Sequence, residues 1–160
     1  MRKSVMALLG AGLLLASASA SSASVTISYV QPENFEDLPW SELDKEYVLK
    51  DLQRHFAKLG AKLPADRNLK LEIVDVDLAG RMEHRIRFPG EIRVMRGGTD
   101  WPRIDLRYTL ESNGKVIDQG TDHIEDMVYL TSVTKYSSSD PLRYEKKMID
   151  RWFAQKFLKR

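Results

Sequence analysis

The dipeptide Asn113-Gly114 separates two runs that alternate apolar and polar residues, and it limits the fold of this 160-residue chain more than any other local feature. Both residues accept the positive φ that a two-residue type I′ turn requires, so the flanking runs are predicted to be antiparallel strands. Arg103 to Glu111 puts Ile104, Leu106, Tyr108 and Leu110 on one face, with Arg103, Asp105, Arg107 and Thr109 opposite. Lys115 to Ile124 is the returning partner. Carried outward from the turn, the register sets Ser112 against Lys115, Leu110 against Ile117, Leu106 against Thr121 and Ile104 against His123. It leaves Arg107 diagonal to both Asp118 and Asp122.

Other elements follow from periodicity. Val25 to Val30 (VTISYV) alternates in the manner of a half-buried strand and ends at Pro32. The acidic stretch up to Trp40, broken by Pro32 and Pro39, reads as a loop. Ser41 is placed as an N-cap, with Glu42 and Asp44 in the first turn, and a helix is expected to run to Leu59 with Gly60 as its C-cap. Val48, Leu49, Leu52, Phe56 and Leu59 share one arc of that helix, and His55 falls among them. Leu69 to Leu78 is a strand whose parity changes midway: Leu69, Leu71 and Ile73 share one face, while Val74, Val76 and Leu78 share the other. Either a bulge re-aims the strand, or Asp75 and Asp77 join its apolar face.

Ile92 to Met95 is a further short strand candidate, and Glu125 to Ser139 reads as a short helix or a packed loop. Asp140-Pro141 opens a second helix to about Leu158, with Leu142, Ile149, Trp152, Phe153 and Phe157 on its apolar arc. Strand, helix, antiparallel strands and helix in that order define an α+β fold. The expected architecture is a two-layer sandwich, with two amphipathic helices covering one face of a largely antiparallel four- or five-stranded sheet.

The first two dozen residues read as an export signal. Arg2 and Lys3 precede the apolar run Val5 to Leu15, which is too short to span a membrane, and Ala18-Ser19-Ala20 has the small-residue cleavage pattern. The cut is expected after Ala20 or Ala23, making residues 1–23 a leader and 24–160 one domain. Of the 25 basic side chains, Arg2 and Lys3 depart with the leader, so the remainder balance the 23 acidic ones. A global field that would attract nucleic acid is then absent. The chain has no cysteine, which excludes disulfides, thiolate chemistry and a lipid-modified cysteine. A periplasmic protein without a membrane span is expected.

Three groups of residues invite a functional reading. Asp75 and Asp77 project from one face of a strand and could hold a cation or act as an acid and base pair, although carboxylates that cap the end of a strand look the same in sequence. Glu145 stands on the apolar side of the second helix, where it needs a partner: a buried arginine would make it a structural pin, and a vacant partner position a ligand contact. The segment from Gly80 to Arg103 concentrates positive charge in Arg81, Arg85, Arg87, Arg93, Arg96 and Arg103, beside Trp101 and Gly97-Gly98. Arginine forks suit phosphate or carboxylate and Trp101 can stack, so Arg85, Arg87, Arg96 and Trp101 are the candidate ligand-binding set, against the plainer reading of a solvated loop. His55, His84 and His123 show no metal-ligand spacing, and His55 and His123 fall on expected core faces. No metal site, cofactor motif, nucleophile elbow or phosphate loop is recognised.

Three stretches resemble an uncharacterised family of exported proteobacterial proteins, domain of unknown function 3016: Val25-Thr26-Ile27, Val74 to Gly80 (VDVDLAG), and Ser139 to Lys146 (SDPLRYEK) leading to Trp152-Phe153. The resemblance implies a small secreted or periplasmic domain and carries no activity. The functional expectation is a non-enzymatic binding or envelope-assembly module that recognises an envelope protein or an anionic envelope component. The alternative is a metal-assisted hydrolase built on Asp75, Asp77 and Glu145.

Overall fold

The computed structural model describes residues 23–35, 37–84 and 91–158. The expected leader, Arg85 and Arg87 lie outside them or, for Ala23, at their start. Four strands form the main sheet in the order β1 (Ser24–Tyr29), β2 (Arg67–Asp77), β5 (Arg103–Ser112) and β6 (Lys115–Glu125). Strand β1 runs parallel to β2, and the other two pairings are antiparallel. A separate two-stranded sheet pairs β3 (Arg81–His84) with β4 (Glu91–Val94). Helix α1 (Glu42–Gly60) lies over β1, α2 (Arg143–Phe153) lies over β6, and the two helices touch. This is the expected α+β sandwich with a largely antiparallel sheet, made mixed by the parallel strand β1.

Helix α1 starts where the sequence places it, with the Ser41 hydroxyl accepting from the Asp44 N–H. Its end differs. Gly60 is the last helical residue and Ala61 takes the C-cap position in ordinary right-handed geometry. Glycine is required at 60 for space, because a Cβ there would sit 2.1 Å from Cγ2 of Val25. Helix α2 also departs from expectation: Asp140-Pro141 precedes it, Leu142 is the N-cap, and the Asp140 carboxylate accepts the Leu142 N–H. One π-helical turn, Ala154–Leu158, continues it and carries Phe157 back over the core.

The parity change in β2 is a bulge. Register shifts between Ile73 and Asp75, so Val74 turns outward while Val76 and Leu78 stay buried. A second bulge, unforeseen, lies just past the Asn113-Gly114 turn. Ser112 does face Lys115, but the register then slips, so Leu110 faces Asp118, Leu106 faces Asp122 and Ile104 faces Ile124. A slip of one residue exchanges the faces of everything beyond it. Asp118, Gly120 and Asp122 therefore turn toward the helices, and His123 turns out to solvent instead of into the core. Arg107 pairs with Glu72 of β2 at 2.9 Å rather than with Asp118 or Asp122.

Between the layers, Leu52, Phe56, Leu69, Leu71, Ile73, Ile104, Leu106, Ile149 and Phe153 are almost wholly buried. Trp152 stands edge-on to Phe56 and to Phe157, with ring centroids 6.4 and 5.3 Å apart. Its indole N–H donates to Asp122 at 2.7 Å, which satisfies the polar end of a large buried ring and one of the inward-turned aspartates together.

Candidate functional site

The face of the sheet opposite the helices is uncovered by any described element, and all four strands contribute polar side chains to it. Lys70 and Glu72 from β2, Arg107 and Thr109 from β5, and Gln119 and Thr121 from β6 line a shallow recess of about 400 Å³. Beyond it, across the end of the sheet, Asp75 lies opposite Asp105, which meets Nδ1 of His123 at 2.5 Å. Arg103 caps the row. Its guanidinium pairs with Asp77 and lies 5.6 Å from the centre of the Trp101 ring, whose N–H donates to Glu125 at 2.9 Å. Carboxylates outnumber cationic side chains on this face, so its chemistry suits a partner bearing basic or amide groups more than a simple anion.

Asp77 is the most perturbed group here. Burial first, and then the Asp37 carboxyl hydrogen-bonded to it, push its pKa up to about 6, against the opposing pull of Arg103. Asp75 and Asp77 therefore belong to different cross-strand arrangements, one beside Asp105 and the other between Arg103 and Asp37. Among the described residues no group of three or more histidine or acidic side chains is arranged to hold a metal ion.

Glu145 sits on the opposite side of the sheet, fully buried. Its Oε1 accepts the Ala79 N–H at 2.8 Å and a guanidinium N–H of Arg93, which also donates to the carbonyls of Ala79 and Pro141. The β3–β4 hairpin is thereby pinned to α2 and to the end of β2. Gly80 makes the turn into that hairpin at φ +83°, with the Val94 carbonyl 2.5 Å from where a Cβ would stand. The sequence supplied the unusual carboxylate and the wealth of arginines, and the structure chooses the pin with Arg93. Asp77 and Glu145 do not share a cleft.

Two members of the arginine-rich set are described, and they stand apart. Arg96 is exposed, pairs with Glu83 at 2.7 Å, and lines a recess of about 190 Å³ with Arg81, Gly97, Thr99 and Asp100. Trp101 belongs to the sheet-face cluster around Arg103. Arg81 has no charged partner among the described residues, which leaves it available to a carboxylate or phosphate.

Sequence reasoning missed a polar seam between the helices and the segment after β6. His55 is buried and meets Asp150 at 3.0 Å, while Tyr136 and Lys135 hold the other oxygen of that carboxylate at 2.6 and 2.8 Å. Burial holds the His55 pKa below its usual value despite Asp150. Lys146 lies 2.8 Å from both Asp51 and Asp140. Asp126, fully buried, lies 2.9 Å from Lys147 and 3.3 Å from Arg151, pairs held by charge rather than by well-directed hydrogen bonds. The position of His55 on the apolar arc of α1 was the one sequence signal for this seam.

The architecture defines a small two-layer α+β domain with an open polar sheet face and a pinned hairpin. The chain belongs to the family described as protein of unknown function DUF3016, whose model matches residues 23–155. No curated protein and no solved structure matches it.

Proposed function

We propose that this chain is an exported, non-enzymatic binding or assembly module of the cell envelope, cleaved after Ala20 or Ala23 and working in the periplasm. The observation that carries the reading is the uncovered sheet face, where side chains from β2, β5 and β6 form one recess with rows of cross-strand charges beside it. Polar side chains are ordinary on a sheet face open to water; what supports the reading is the recess and the excess of carboxylates beside it. A protein partner bearing basic and amide groups fits that face. An anionic envelope component fits the hairpin, where Arg81 and Arg96 flank Gly97 and Thr99. The absence of cysteine and of any apolar spanning helix among the described residues is compatible with a free envelope protein.

Two experiments test this. Osmotic shock of cells making the full chain should release a product shortened by the leader; retention of an uncut chain in the cytoplasm would contradict export. A photoreactive residue at Thr121 should capture a partner in cells, whereas the same group at Lys58 on the far side of α1 should not. Raised salt and the triple change R85E/R87E/R96E should weaken an anionic contact with folding intact. Equal capture at both positions, unaffected by salt or by the arginines, would remove the reading.

A further inference from the structure

The two edges of the main sheet are built differently. β6 carries a bulge, a lysine at its start, and Asp118 and Asp122 turned inward, which are devices that stop a strand edge from pairing with another chain. β1 has none of them. Its six residues, Ser24 to Tyr29, include no charged side chain, proline, glycine or bulge, and no described strand lies on its outer side.

Which backbone groups are free follows from the pairing. The Val30 N–H is given to the Ile73 carbonyl of β2, and alternation along a strand then directs the N–H and C=O of Val25, Ile27 and Tyr29 outward. The inner-face side chains of these same three residues are only partly buried. Above them, α1 presents a flank whose charges, Glu46 and Lys50, pair with one another at 2.6 Å at the Tyr29 end. Tyr29 Oη donates to the Leu49 carbonyl at one end and Gly60 touches Val25 at the other. Beyond the Glu46–Lys50 pair, toward Gly60, the flank continues in Gln53 and Ala57, one turn apart and both exposed.

We propose that β1 pairs antiparallel with β1 of a second copy about a two-fold axis through Ile27, joining two four-stranded sheets into one. In this register Ile27 faces Ile27 of the second copy and Val25 faces Tyr29, so every outward N–H and C=O of the three residues finds a partner. Apolar side chains meet apolar ones on the helix side, and Thr26 meets Ser28 on the open side. The occupant is a second copy because the edge is self-complementary: a strand without charged side chains meets its own like, residue for residue, in a closed isologous contact.

Sedimentation velocity on the purified protein tests it, together with two variants altered only on the open face, T26K/S28K and T26E/S28E. The parent should be a dimer at micromolar concentration. Each variant alone sets like charges opposite one another and should weaken dimerisation more than tenfold with an unchanged circular dichroism spectrum. Mixing the two variants should restore a dimer, because Lys then faces Glu at both positions. A monomeric parent would overturn the proposal, including the case in which a photoreactive group at Thr26 captures a different protein. So would a dimer that the lysine variant leaves intact, or variants that stay monomeric when mixed.

Discussion

The two faces of the main sheet use the same charged residue types to opposite ends. On the helix side charges gather in pairs with at least one buried member, and their partners come from distant elements: Glu145 with Arg93, Asp126 with Lys147 and Arg151, Asp150 with His55. On the open side most stand in water, in cross-strand pairs such as Glu72 with Arg107, both about half exposed. A charge taken out of water must be paired or it destabilises strongly, whereas one left in water gains little from its neighbour. The helix side therefore uses charge to fix geometry, and the open side keeps charge available.

The sharpest way to break that contrast is Glu145→Ala. It removes the counter-charge of Arg93 and leaves one of its N–H groups and the Ala79 N–H without their acceptor, and should cost about 3–5 kcal/mol in chemical denaturation, with loss of the hairpin's protection from amide exchange. A loss under about 1 kcal/mol would make the two faces alike.

The next effect is pH. Asp77 titrates near 6 when folded and near the ordinary aspartate value when unfolded, so between these the folded state holds more protons. Stability from this group is thus greatest at low pH and declines as pH rises through about 6, by about 1–2 kcal/mol after allowing for solvent screening. Asp37→Asn removes the neighbouring carboxylate and should flatten the decline in a series of denaturation midpoints. His55 works the other way: its pKa is lowered by burial, so stability falls as pH drops below the ordinary histidine value, and His55→Gln should remove that slope. The smallest effect belongs to Arg107 and Glu72. A double-mutant cycle to alanine should return at most about 0.5 kcal/mol and vanish in salt.

Where the two faces differ in hydrophobicity, the sequence could be read. The β2 bulge was legible because Ile73 and Val74 break parity between two apolar sets, and only one set can enter the core. Strand β6 offered no such signal. Asp118, Gly120 and Asp122 alternate with Gln119, Thr121 and His123, both sets are polar, and nothing in them selects a register. The slip past Asn113-Gly114 was therefore invisible, and with it the true side of His123 and the separation of Arg107 from Asp118 and Asp122. At the site, Glu145 announced itself as a carboxylate on an apolar arc. Arg93 did not, because the two are 52 residues apart and joined only by the folded hairpin. Gly60 was misread because a helix-ending glycine and a glycine yielding space to Val25 look alike without the strand beside them.

The parallel pairing of β1 with β2 also sets the order in which the chain can assemble. β5 and β6 are adjacent and joined by a two-residue turn, so they can zip together within microseconds of meeting. β1 precedes β2 by the whole of α1, and among the described strands it pairs with β2 alone, so Val25 must wait for Leu69. Among the described strands β1 is thus held by sheet contacts that close a long loop, and such contacts form late. A domain wired in this way leaves β1 unpaired until β2 and the helix between them are in place.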